Sequence, residues 1–215
     1  MTETESAYLD LASQALDYPD QSYFNRLTEL RAQLAALPES SFSKAYNEFL
    51  DQLEKDGTWK AQQKFVSVFD HEPETSLYLA WHRYGNDRGQ GKALAALNGL
   101  YRAAGLEPDY GSMPDYLPRV LEFMANSEDW AIEVMLDGFG PEMDRLFDKL
   151  AATDSLRSSI LKMAFQPLKE RWPNLFKPRS SVDPTIRPMA RPEPEMPILP
   201  TNCSHFKQGS QEDKI

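Results

Sequence analysis

The chain has 215 residues, 41% of them hydrophobic, with 33 Asp and Glu against 23 Lys and Arg, for a formal charge of −10. That length supports one good core, while the acidic balance argues against sequence-independent nucleic-acid binding, in which Lys and Arg must meet phosphates. No run approaches the roughly 18 apolar residues of a membrane span, so stable membrane insertion is not expected, and the single cysteine, Cys203, excludes an internal disulfide framework and fits a reducing cytosol.

The chain opens MTETESAYLDLASQ, acidic where an export signal is basic and then apolar, so a cytoplasmic location is expected. From there to about residue 171 the apolar spacing is helical. Leu27, Leu30, Leu34 and Leu37 form one stripe. Phe42, Ala45, Tyr46, Phe49, Leu50 and Leu53 form the clearest one, with Ser40 or Ser41 available as N-cap. Further stripes follow at Phe65, Val66 and Phe69; at Leu94, Leu97, Tyr101 and Ala104; at Leu117, Val120, Leu121 and Met124; and at Leu156, Ile160 and Met163. Breaks are predicted at Tyr18-Pro19, Leu37-Pro38, Gly57, Gly105 to Pro114, Asn126-Ser127 and Gly138 to Pro141. No segment shows sustained period-two alternation. The prediction is an all-α fold, a single helical bundle of about eight helices over residues 1–171.

Composition changes near Trp172. Residues 1–170 hold 16 Lys and Arg against 28 Asp and Glu, whereas residues 171–215 hold 7 against 5. Eight of the 16 prolines fall between Pro173 and Pro200, which forbids helix. Residues 172–215 are therefore expected to be an irregular, proline-rich tail, disordered or lying along the body.

Few residues offer chemistry. YGNDRGQGKALAAL at 84–97 has the layout of a phosphate-binding loop, but five residues rather than four separate Gly85 from Gly91-Lys92, and Ala93 stands where a Mg²⁺-binding Ser or Thr belongs. His71 and His82 lie eleven apart with no second ligand pair, so no metal site is expected. DGFG at 137–140 reads as a helix C-terminus. No cofactor and no catalytic activity are predicted.

Two stretches stand out. FDHEPETSLYLAWHRYGNDRGQG, 69–91, crowds Phe69, Leu77, Tyr78, Leu79, Trp81 and Tyr84 among Asp70, Glu72, Glu74 and Asp87, with aromatics on more than one helical face. MPDYLPRVLEF, 113–123, must start a helix within 114–118, with Ser112 and Asp115 spaced as a capping pair and Asp115-Tyr116 projecting at its N-terminus.

At these stretches the chain resembles the nitrate reductase assembly chaperones, the NarJ branch of the TorD/DmsD family of redox-enzyme maturation proteins. The likeness runs from LDYPD (16–20) through FVSVFD (65–70), TSLYL (75–79), H-x-YG (82–85), DRGQ (87–90) and LYRAAGL (100–106) to PDYLP (114–118) and LEF (121–123), over about residues 5–170. Tyr116 stands where the family motif often carries His. The resemblance implies an all-helical, non-catalytic cytoplasmic protein. Its implied partner is the apo catalytic subunit of a molybdenum oxidoreductase, bound by the N-terminal leader peptide until the molybdenum cofactor is inserted; proteins of molybdenum cofactor biosynthesis are further implied partners. In that setting Gly85, Gly89 and Gly91 read as a turn between helices, with Asp87-Arg88 capping the second.

Such leaders are basic and apolar, so an acidic body with exposed rings is their complement. The expected peptide-binding set is Leu77, Trp81, Tyr84, Tyr116 and Leu117 as anchors, Asp70, Asp87, Asp115 and Glu122 as charge partners, and Arg88 at the turn. The rivals are a helical interaction or regulatory module unrelated to metalloenzymes and, behind it, a nucleotide-dependent enzyme using Gly85 to Lys92.

Overall fold

The computed structural model describes residues 1–85, 87–108, 112–177 and 206–208. Its body is a bundle of nine α-helices among the described residues: α1 Glu3–Ala15, α2 Gln21–Asn25, α3 Leu27–Ala35, α4 Ser41–Phe69, α5 Leu79–Tyr84, α6 Gly89–Ala103, α7 Leu117–Ala125, α8 Asp129–Leu150 and α9 Ser155–Arg171. Short 3-10 turns at Pro73–Thr75 and Pro173–Phe176 complete it. The only strands among the described residues, β1 Leu106–Pro108 and β2 Phe206–Gln208, form a three-residue antiparallel pair. The all-α expectation holds, and no described helix is long and apolar enough to cross a membrane.

Local sequence explains where these helices begin. Thr2 and Glu5 form a capping box, the Thr2 side chain accepting from the Glu5 amide and the Glu5 carboxylate from the Thr2 amide. Asp20, Ser40 and Asp154 cap α2, α4 and α9 by accepting from the Tyr23, Ser43 and Arg157 amides. Each such cap satisfies an amide that the helix itself leaves unpaired. The predicted break at Gly57 is a kink inside α4, where φ is +70°, a conformation that disfavours any side chain.

The stripes read from the sequence point inward. Phe42, Tyr46, Phe49, Leu50 and Leu53 are buried, as are Leu27, Leu30, Leu34, Phe65 and Phe69. Helix α7 is buried along its whole length and packs on α1, where the Ser13 hydroxyl donates to the Pro118 carbonyl at 2.7 Å. That bond gives the buried Ser13 hydroxyl an acceptor on α7 while apolar residues fill the rest of the contact.

Gly138 to Pro141 is not a break. Helix α8 runs straight through it, so DGFG is helix interior and not a C-terminus. A proline at 141 removes one amide and crowds the preceding turn, which frees nearby carbonyls. The structure answers with Arg83 of α5, whose guanidinium donates to the Gly138 carbonyl. Gly140 is equally constrained, since a Cβ there would lie 2.3 Å from the Leu175 carbonyl oxygen. Pro173–Phe176 is thus seated directly on α8, with Phe176 buried and its ring 6.2 Å from that of Phe165. Of the predicted tail, residues 178–205 and 209–215 lie outside the described residues.

Candidate functional site

The two stretches singled out in the sequence meet in space. Leu77 and Leu117 are joined by a bond from the Leu117 amide to the Leu77 carbonyl at 2.8 Å, and the Leu79 amide donates to the Asp115 carbonyl at 3.1 Å. Between these bonds Tyr78 and Tyr116 form one antiparallel β-bridge. Their rings lie 5.5 Å apart on the outer side, tilted by 42°. Side chains alternate across extended backbone, so Leu77 and Leu79 point into the core while Tyr78 points out.

The outward residues form a face. Tyr78 is 44% exposed, Trp81 37% and Met113 45%, and Tyr116 is half-buried beside them. Backbone bonds set their spacing: the Trp81 amide reaches the Tyr78 carbonyl at 3.2 Å, and the Tyr116 amide reaches the Met113 carbonyl at 3.2 Å. Burial raises the Tyr116 hydroxyl above the ordinary tyrosine range, and the nearby Asp17, Tyr78 and Asp70 push it further in the same direction. Those two carboxylates therefore share the neighbourhood of the bridge. Exposed Tyr18, next to Asp17, packs edge-on against Phe65 with the ring centres 5.4 Å apart.

Beneath this face is a polar pin. The Asp115 carboxylate, 1% exposed, accepts from the Ala80 amide at 3.0 Å through Oδ2 and leaves Oδ1 without a partner. It caps α5, a helix 35 positions upstream, and not its own helix. The predicted Ser112–Asp115 capping pair is accordingly absent: Tyr116 is the N-cap of α7 with no side-chain bond, and Ser112 instead accepts from buried Arg119, at 2.7 Å through its carbonyl. Burial raises the Asp115 pKa, opposed by the Ala80 bond and the nearby His82. His82 Nε2 donates to the Ser76 carbonyl at 2.6 Å, an assignment that follows because a carbonyl only accepts. Burial lowers the His82 pKa against that bond, and Arg145 lowers it further. Tyr101 closes the far side by donating to the Pro114 carbonyl.

The predicted site residues divide accordingly. Trp81, Tyr116 and Asp70 belong to the exposed face or its edge. Leu77 and Leu117 are buried under it as floor and not as surface anchors. Tyr84 is core, its ring filling the space a Cβ on Gly89 would occupy, and Asp115 and Glu122 are buried too. Asp87 and Arg88 are exposed at the next turn, where Asp87 Oδ1 accepts from the Gly89 amide at 2.7 Å. That is the helix-connecting turn expected for these glycines: Gly85 ends α5 at φ +53°, and a helix rather than a strand precedes the loop. Sequence reasoning did not assign Tyr78, Met113, Tyr18 or Asp17 to the site. For Tyr78 a signal existed in the short alternation Leu77-Tyr78-Leu79.

No group of three or more His, Cys, Asp or Glu that could hold a metal occurs among the described residues. A cleft of about 580 Å³ opens elsewhere, between the kinked α4 and the start of α9, lined by Leu53, Asp56, Lys64, Val68 and Asp154 among others. Its lining includes no residue of the bridge face.

Comparison with known proteins converges on one group. The family described as "Nitrate reductase delta subunit" matches residues 35–152, a span holding both halves of the bridge. The chain is 32% identical over 164 residues to the nitrate reductase molybdenum cofactor assembly chaperone NarJ of Escherichia coli K12, covering 73% of this chain and 69% of that protein. It is 24% identical over 154 residues to a probable NarJ chaperone of Bacillus subtilis 168, covering 72% and 84%. A shorter likeness, 29% over 128 residues, joins it to the nitrate reductase-like protein NarX of Mycobacterium tuberculosis, of which it spans 19%.

Proposed function

Because the chain belongs to the nitrate reductase delta subunit family, we propose that it is a non-catalytic cytoplasmic assembly chaperone for a molybdenum oxidoreductase, nitrate reductase or a close relative. It holds the N-terminal leader of the catalytic subunit while the molybdenum cofactor is inserted. The observation that carries this reading is the exposed face at the bridge, where Tyr78, Trp81, Met113 and Tyr116 stand beside Asp17 and Asp70. Large aromatic groups left partly in water and gathered at one bridge mark a contact surface, and neighbouring carboxylates select a basic partner.

The division of labour follows from magnitudes. A buried aromatic anchor is worth about 2 kcal/mol or more on truncation, whereas an exposed ion pair is worth about 0.2–1 kcal/mol and is screened by salt. Rings therefore set affinity and acids set encounter rate and partner choice. The test uses calorimetry with a synthetic amphipathic peptide of Arg, Leu and Phe. Tyr78→Ala or Trp81→Ala should weaken binding at least tenfold, since about 1.4 kcal/mol is tenfold. Asp70→Asn should weaken it less, and the loss should shrink with added salt. The reverse order overturns the scheme. In cells, the tagged chain should co-purify with a large molybdenum subunit lacking its cofactor; recovery of unrelated partners alone would favour a general interaction module.

A further inference from the structure

We propose that the aromatic face is also the docking site of the chain's own residues 178–191, so that in the free protein the tail competes in cis with any client. This rests on the reading of that face given above. Four observations carry it.

The first is where the tail is attached. Its near end leaves from Pro173–Phe176, seated on α8, and Phe206–Gln208 pairs with Leu106–Pro108, which packs on α6. Helix α5 contacts both α8 and α6. Both attachment points therefore rest on helices that the short helix carrying Trp81 also touches.

The second is length. The intervening residues 178–205 reach roughly 90 Å when extended, far beyond the radius of gyration of about 16 Å expected for a body of this size. The segment can cross the α5 face without strain. Held at both ends, it is present there at an effective concentration on the order of millimolar.

The third is charge. Residues 178–191 read PRSSVDPTIRPMAR, with Arg179, Arg187 and Arg191 against Asp183 alone, while the face they would meet carries Asp17 and Asp70. Guanidinium groups also stack favourably on exposed Tyr and Trp rings.

The fourth is shape. Proline at 178, 184 and 188 excludes helix and favours a polyproline II path, a conformation recognised by surfaces lined with aromatic side chains. Val182, Ile186 and Met189 supply apolar contacts between the prolines.

The test keeps the full chain. Cys203 is the only cysteine, so Cys203→Ser with Ile186→Cys accepts one nitroxide label. The label should broaden the amide resonances of residues 78–81 and 113–116 selectively. Reversing the charge at Arg179, Arg187 and Arg191 to Glu should abolish that broadening and tighten binding of the Arg/Leu/Phe peptide about tenfold. Absent or evenly spread broadening overturns the proposal, as does unchanged peptide affinity in the charge-reversed chain. Broadening only in mixtures of labelled and unlabelled copies overturns it too, by assigning the occupant to a second chain. If broadening is selective yet no chain binds the peptide, the tail docks as proposed and the client assignment of the face falls. If the peptide binds and broadening is absent, the tail proposal alone falls.

Discussion

Replacing Asp115 separates a structural role for this carboxylate from a ligand-binding one. Its Oδ2 is the partner of the Ala80 amide, and both groups are buried. Asp115→Ala strands that amide, and an unpaired buried donor costs about 1–3 kcal/mol; loss of a helix cap measured elsewhere falls in the same range. For a domain of this size that corresponds to a fall in Tm of roughly 2–4 °C per kcal/mol. Asp115→Asn keeps a carbonyl acceptor in place and removes a charge that burial disfavours, so it should stay within about 1 kcal/mol of the parent. The pH dependence supplies the sign. Burial raises the folded pKa of Asp115 above its ordinary value. Below that ordinary value the group is protonated in both states and contributes nothing. As pH rises through the window up to the raised folded pKa, ionisation favours the unfolded chain, and the parent loses stability that the Asn variant keeps. Thermal melts by circular dichroism between pH 4 and 7.5 should show the Asn variant gaining on the parent as pH rises. Its affinity for the basic peptide should not change. Equal losses for Ala and Asn, or a weakened peptide complex with Asn at unchanged stability, would refute the argument and return Asp115 to the binding surface.

Three further outcomes follow from single contacts. Gly57→Ala places a Cβ at φ +70° in otherwise open space, so strain alone should lower stability by about 1–2 kcal/mol in urea titration. Gly140→Ala drives a methyl group into the Leu175 carbonyl; it should undock Pro173–Phe176, seen as new solvent exposure of Phe176 amide exchange together with a lowered Tm. His82 is harder to protonate when folded, so the parent should lose stability as pH falls below the ordinary histidine value of about 6.5. His82→Gln, which can still donate to the Ser76 carbonyl, should remove that acid loss, and an unchanged slope of Tm between pH 7.5 and 5.5 would show that another group is responsible.

Helices were legible in this sequence because their signals are local. A stripe such as Phe42 to Leu53 lies within one element, and its period alone reports which side is buried. The cap at Ser40 and the kink at Gly57 are local too. What could not be read was decided between distant segments. Pro141 looks like a terminator to any local rule, yet α8 continues through it, and Arg83, 55 positions upstream, donates to the Gly138 carbonyl in the preceding turn. Asp115 looks like a cap for the helix two residues ahead, but Pro118 and the bridge to Tyr78 turn its carboxylate toward α5. The exposures differ from the expected anchors too: Tyr84 is buried, and Tyr78, which was not assigned, stands outside because side chains alternate along the extended backbone of the bridge.

These distant bonds converge on α5. At six residues it is far too short to persist alone. Its first turn is held by Asp115 and its last by Arg83 on α8, while Gly85 provides the positive φ that ends it. Trp81 therefore stands in the face because buried Asp115 and partly buried Arg83 hold its helix there. A motif can in this way govern a contact surface without belonging to it: Asp115 and Arg83 act on binding through the position of Trp81. Their variants should then alter affinity in proportion to the loss of α5 order, whereas Trp81→Ala alters it in a helix that remains intact.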